Sequence, residues 1–202
     1  MCGRYSQTAA LQTLQERFAL RGTPRPLSPR YKIAPGQEAP IIVAGRSLRS
    51  MRWGFGARVI NARAETAASR PAFRKAFSCR RCLVPADGFY EWSRSPKLPY
   101  RFAAVAGGLF AFAGLWDSRD FVILTTAADA VVRAIHPRMP VILAREAEGP
   151  WLDPSTPLER VTELLVPGVR LTCCPVSERV NSTENDDEGC IERRREQQQL
   201  EL

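Results

Sequence analysis

Cys2, Glu91 and His136 are the residues of this sequence whose types could carry covalent or proton-transfer chemistry. Cys2 follows Met1, and a second side chain this small lets processing enzymes remove the methionine. The residue left in front would hold an α-amine and a thiol on adjacent carbons. Model α-amines titrate near ~7.7–8.0 against ~10.4 for lysine, so a far larger fraction is uncharged and nucleophilic at neutral pH. Such an aminothiol traps an aldehyde, first as an imine and then as a five-membered thiazolidine. Cys2 is also compatible with an ordinary start in which the thiol does nothing. Glu91 lies in Gly88-Phe89-Tyr90-Glu91-Trp92. On a strand it shares a face with Phe89, while Tyr90 and Trp92 point the other way. Aromatic surroundings desolvate a carboxylate and raise its pKa toward the range of a general acid or base; the plainer reading is a strand glutamate with its head in water. His136 is the chain's one histidine, in Ile135-His136-Pro137-Arg138-Met139-Pro140, so any imidazole chemistry happens there. Prolines on both sides stiffen the loop, which suits either a catalytic ring or one packed for structure.

Asn61 and Arg63 alternate on a short polar segment and could face the same way. An amide beside a guanidinium suits a sugar oxygen and a neighbouring phosphate, although each alone is also an ordinary turn residue. Arg4 and Arg138 stand two residues from Cys2 and His136, which pairs each candidate reactive group with a cation. That arrangement points to an anionic, phosphate-bearing substrate.

The elements that must position these groups fit a chain of 202 residues, enough for one domain with a real core. Lys plus Arg outnumber Asp plus Glu by 29 to 21, a net charge of +8, and only Lys32, Lys75 and Lys97 are lysines. Nucleic acid is the first partner this suggests, since arginine forks bind phosphate with two hydrogen bonds; arginine-rich codon usage accounts for part of the excess. No apolar run approaches the ~20 residues of a membrane span, and the start lacks a signal-peptide layout. A cytoplasmic, nucleoid-associated protein is expected. Six cysteines, at 2, 79, 82, 173, 174 and 190, do not read as a disulfide framework. Cys79-x2-Cys82 with vicinal Cys173-Cys174 matches zinc spacing poorly. No metal and no cofactor are expected, and Cys82 and Cys173 read as small buried apolar residues.

Thr8 is placed to cap a helix carrying Leu11, Leu14 and Phe18 on one face, ending near Arg21-Gly22. A Pro- and Gly-rich arm follows over 22–37. Strands are predicted at Ala39–Val43, Leu48–Trp53 and Val59–Ile60, then a polar turn at Asn61–Thr66 and a helix with Phe73 and Phe77 inward. Further strands are predicted at Arg81–Val84, Phe89–Trp92, Tyr100–Ala104, Phe110–Leu115, Phe121–Thr125 and Leu171–Pro175, with helices near 129–135 and 157–165. The pattern is α+β: a single domain whose mostly antiparallel, barrel-like β-sheet is flanked by short helices. From 182 to 202 the sequence is polar, with Arg193-Arg194-Arg195 and Gln197-Gln198-Gln199, and reads as a mobile tail or solvated helix.

The ordered motifs Met1-Cys2-Gly3-Arg4-Tyr5, Tyr31–Gly36, Arg52-Trp53-Gly54-Phe55, Asn61–Thr66, Pro85–Trp92, Phe112–Trp116, Thr125–Ala128 and Ile135–Pro140 together resemble the SRAP (SOS response-associated peptidase) family over about residues 2–181. The resemblance implies a protein of the DNA damage response that crosslinks itself to abasic sites in single-stranded DNA, acts as a monomer, and removes its own Met1. It implies that Cys2 is the nucleophile and that Glu91 is the acid and base that opens the deoxyribose. His136 would assist those proton transfers and Asn61 would position Cys2 and the sugar. Arg4, Arg63 and Arg138 would grip phosphates, with Pro35 and Trp53 as apolar wedges that exclude a continuing duplex. Between Phe55 and Asn61 only five residues remain where the family has a longer, more aromatic loop, so weaker base stacking is expected there. Two other readings fit the same residues. One is a cysteine peptidase or amidohydrolase turning over substrates without DNA. The other is a non-catalytic single-strand-binding module whose binding is indifferent to Cys2 and to the lesion.

Overall fold

β1 (Tyr5–Gln7) is three residues long and buried throughout. Its neighbours explain this, because it lies between two other strands in a five-stranded sheet. The computed structural model describes residues 2–22, 26–56 and 58–194. After β1 come α1 (Leu11–Phe18), β2 (Arg30–Ile33), β3 (Glu38–Val43), β4 (Ser47–Trp53), β5 (Asn61–Arg63), α2 (Ala64–Ala67) and α3 (Pro71–Cys79). The middle of the chain supplies β6 (Arg81–Ala86), β7 (Gly88–Trp92), β8 (Pro99–Ala104), β9 (Phe110–Asp117) and β10 (Asp120–Ala127). Then follow α4 (Ala130–Arg133), β11 (Arg138–Pro140), α5 (Glu148–Leu152), α6 (Leu158–Glu163) and β12 (Leu171–Pro175).

One sheet runs β12-β8-β7-β1-β2, antiparallel throughout. The other runs β11-β10-β4-β3-β6-β9, and β9 pairs back onto β10, so five of its strands close into a ring. Closure leaves those strands no edge for another chain to join. The α+β class with a barrel-like, mostly antiparallel sheet is what the structure shows; the exceptions are the parallel pairs β10 with β4 and β10 with β5. No helix among the described residues is long and apolar enough to cross a membrane.

The alternation of the strands builds one apolar layer between the sheets, from Tyr5, Ile33, Ile41, Trp53, Phe89, Phe102, Phe112 and Phe121. A second layer packs α1, α3, α5 and α6 on the outer side of the ring through Leu14, Phe18, Phe77, Trp151 and Val161. Arg17 on α1 ion-pairs with buried Glu148 of α5 at 2.6 Å.

Local chemistry overturned several expectations. Thr8 does not cap α1; its N–H and hydroxyl both donate to Asp87, and Ala10 starts the helix without a side-chain cap. Asn61–Arg63 is a strand rather than a turn, because a parallel partner in β10 satisfies its backbone. Val59 forms only an isolated bridge to Phe55. Cys173 is exposed, since β12 is an edge strand with one face toward solvent, whereas Cys82 is buried as expected. Residues 182–194 are not a loose tail. Asp186 accepts from Tyr31 N and Lys32 N, both at 2.7 Å, and Cys190 packs with Tyr90, Val176 and Val180. The expectation for 195–202 lies outside the described residues.

Gly114, in β9, is where ring strands approach most closely: a Cβ there would sit 2.8 Å from Cys82 Sγ and 2.9 Å from Val84 Cγ2. Gly114→Ala is expected to lower stability by about 1–3 kcal/mol through overpacking, read as a lower urea midpoint; an unchanged midpoint would show that the ring can expand at no cost.

Candidate active site

The register that seats β1 also sets the site. Tyr5 pairs with Phe89, and Tyr90 N–H donates to Arg4 O at 3.0 Å, so the antiparallel run brings Gly3 level with Glu91. The approach is held by Asp87, which accepts from Ser6 Oγ at 2.5 Å and ion-pairs with Arg101 at 2.8 Å. Beyond the strand the chain carries Cys2 inward, where its side chain is fully buried among the inter-sheet aromatics.

Asn61, at the head of β5, donates from Nδ2 to Cys2 O at 2.8 Å. Its Oδ1 is buried and has no hydrogen-bond partner among the described residues, so an acceptor stands unused beside Cys2. β5 is held in turn by Trp53, whose Nε1 donates to Ile60 O at 2.9 Å. His136 ends the α4 turn, its N–H donating to Val132 O at 2.8 Å. Its Nδ1 faces the Arg138 backbone, 2.9 Å from the oxygen and 3.1 Å from the nitrogen, so proton exchange with the cleft falls to Nε2.

These elements converge on a cleft of about 670 Å³ whose wall includes Gly3, Arg4, Glu91, Lys97, His136 and Asn181. Burial pushes the Glu91 carboxyl above its ordinary range, with the nearby His136 opposing the shift. Burial likewise pushes the Cys2 thiol far up, reinforced by the charge of Glu91. Cys2 is therefore held as a neutral thiol, a weak nucleophile compared with a thiolate. Among the described residues no group of three or more His, Cys, Asp and Glu side chains could hold a metal ion.

A family model described as SOS response associated peptidase (SRAP) matches residues 1–183. The chain belongs to the SRAP family. Among curated relatives, the abasic site processing protein YoaM of Bacillus subtilis is 35% identical over 92% of this chain and 95% of its own. The abasic site processing protein YedK of Escherichia coli is 28% identical over 95% and 99%. A crystal structure of a Bacteroides thetaiotaomicron protein has a TM-score of 0.86 at 24% identity, covering 96% of this chain and 100% of that one, and shows the shared fold.

In this SRAP-family chain the structure brings together Cys2, Asn61, Glu91, His136 and Arg4. Arg4 lies over the Trp92 ring at 5.0 Å and donates to Val180 O at 2.6 Å. Arg63 is exposed on β5, one strand from Arg138 across β10. Arg138 is engaged by Glu65 at 2.5 Å and by Thr125 O at 2.6 Å, so a phosphate reaching it meets a carboxylate competitor. Pro35 is exposed in the turn between β2 and β3, outside the cleft wall. Trp53 cannot act as a wedge: it is fully buried between Tyr5 and Phe121, and its role is to hold Ile60 and hence Asn61. Sequence reasoning did not assign Trp92, Lys97 or Asn181 to the site. Trp92 Nε1 donates to Asn181 Oδ1 at 2.7 Å, a contact across 89 positions for which the sequence carried no pairing signal.

The raised Glu91 pKa carries a stability signature. The folded state binds this proton more tightly than the unfolded chain, so stability is greatest below the ordinary value of 4.5 and is lost as pH rises through the raised one. Urea unfolding across that interval is expected to show this loss in the wild type and not in Glu91→Gln; parallel profiles would mean that burial does not govern the carboxyl.

Proposed function

We propose that this chain processes abasic sites by capturing them covalently in single-stranded DNA. The observation that carries the reading is the convergence of Cys2, Asn61, buried Glu91 and His136 on one cleft with a cationic rim. The names of the curated relatives support the substrate. Hydrolysis of the Met1-Cys2 bond, a peptidase step on the chain itself, adds one water and releases methionine, leaving the Cys2 amine.

The order of bond formation follows from the buried thiol. A neutral thiol is the weaker nucleophile, so the amine attacks first, at the aldehyde carbon of the ring-opened deoxyribose. Glu91, protonated at higher pH than an exposed carboxyl, delivers a proton to the ring oxygen on opening and then to the hydroxyl that leaves as water when the imine forms. His136 Nε2 relays protons on the same face. The thiol then adds to the imine carbon, its proton passing to nitrogen, and closes the thiazolidine; one water is lost overall. Asn61 fixes the Cys2 carbonyl, and its unused Oδ1 can accept from the amine or a sugar hydroxyl. A single strand suits the cleft because a lesion without a base has no stacking or pairing to break. The net charge of +8 supplies salt-dependent attraction to the backbone. The protein acts as a monomer in this reading.

Intact mass spectrometry before and after incubation with a single-stranded oligonucleotide carrying one abasic site tests the proposal. Loss of one methionine residue, then an adduct equal to the oligonucleotide less one water, is expected; retained Met1 with no adduct overturns it. Cys2→Ala is expected to abolish the adduct yet keep most salt-sensitive binding. Glu91→Gln is expected to slow capture by about 10²-fold at similar affinity, and an unaltered rate would remove Glu91 from the mechanism.

A further inference from the structure

The cleft is not the only concavity at this end of the molecule. A second one, of about 430 Å³, is lined by Ser93, Arg94, Ser95, Arg133, Ile135 and Pro137. His136 lines the first and its two neighbours line the second, so the turn at 135–137 is their shared wall. The loop joining β7 to β8 likewise serves both, with Lys97 on the first and Arg94 on the second. A strand leaving the cleft past Lys97 and over the His136 turn would run into this pocket.

Its chemistry is that of an anion site. Two guanidinium groups and two hydroxyls line a concave surface, with Ile135 and Pro137 as an apolar floor. Arg94, Lys97 and Arg133 make no ion pair among the described residues, whereas Arg138 on the other side of His136 is held by Glu65. The pocket is also braced. Ser93 N donates to Leu98 O at 3.0 Å, and Leu98 N donates to Ser93 Oγ at 3.0 Å, which ties the loop bearing Arg94 into a closed turn. Arg133 Nε and Nη2 donate to Ala128 O at 3.2 and 2.7 Å, which fixes the guanidinium plane and leaves Nη1 to turn toward a ligand. Arginine forks held in this way match the paired oxygens of a phosphodiester.

We propose that this second pocket is a phosphodiester subsite, in which Arg94 and Arg133 hold a backbone linkage on one side of the abasic deoxyribose and Lys97 bridges it to the cleft. The proposal rests on the reading of the cleft as the seat of that sugar. It makes binding asymmetric: one flank of the lesion is gripped by a built pocket, the other by the arginines beside β10.

The test uses single-stranded oligonucleotides with one abasic site and a single neutral methylphosphonate placed in turn at each linkage on both sides. Capture rates are measured against oligonucleotide concentration for the wild type, Arg94→Ala and Arg94→Ala/Arg133→Ala. In the double variant the half-saturating concentration is expected to rise while the maximal rate holds. The slope of log affinity against log salt should fall by about 1.4, at ~0.7 per lost contact. The deficit is then about sevenfold larger at 50 mM than at 200 mM salt. One methylphosphonate position, on one side only, should weaken the wild type and leave the double variant unchanged. Arg94→Ala, a change in an exposed loop, should give about half the slope change and guards against a folding defect from loss of the Arg133 contacts. Equal half-saturation and salt slope in all three proteins, or a double variant as sensitive as the wild type to every neutral linkage, overturns the subsite while capture stands. A wild type that captures no abasic strand overturns the subsite together with the reading of the cleft.

Discussion

Asp87 accepts hydrogen bonds from Ser6 Oγ, Thr8 N and Thr8 Oγ1 and ion-pairs with Arg101, and through these contacts a strand of three residues is held in the middle of a sheet. A strand that short makes few ladder bonds of its own, so the charge-assisted bonds to one carboxylate, about 1.5–3 kcal/mol each, are what fix its position. Everything reactive depends on that seat. The chain runs from β1 straight into the inter-sheet layer, where Cys2 is buried, and the β1–β7 register sets Gly3 beside Glu91. An enzyme that relies on its first residues must hold a segment which in most proteins frays. Here the holding is done from residue 87, opposite the segment rather than within it.

The same burial decides the electrostatics. Glu91 sits near a histidine and an arginine, which would lower the pKa of an exposed carboxylate, yet loss of water is the larger influence and the net shift is upward. The thiol responds in the same sense. One physical cause thus prepares an acid that retains its proton and a sulfur that waits its turn, while the surface outside remains cationic enough to draw in a polyanion. The long-range attraction and the local chemistry are separated by depth.

Much of this was legible in residue order. Alternation gave the strands around Gly88–Trp92 and Phe110–Leu115, and Pro137 marked where α4 must stop. Cys2, Glu91 and His136 stood out because their side chains have few other uses in such surroundings. What could not be read depended on partners distant in sequence. Asn61–Arg63 looks like a turn until β10 supplies a parallel neighbour. Trp53 looks like an exposed wedge until Tyr5 and Phe121 close over it. Residues 182–194 look too polar to pack, but Asp186 has two backbone N–H groups of β2 to accept from, and polar composition alone cannot show such a demand. Trp92 and Asn181 define one wall of the cleft only because they hydrogen-bond across most of the chain.

The contact between Arg4 and the Val180 carbonyl joins positions 176 apart. At the usual pace of about 5–20 residues per second, a ribosome takes about 10–35 s to make the second after the first. During that interval the reactive front of the chain is outside the ribosome while the wall carrying Asn181 has yet to be synthesised. The capture site is therefore assembled last, after the ring and both layers of the core have their residues. A nascent chain carries the nucleophile without the cleft, so the timing of synthesis protects it from reacting with aldehydes before it is folded.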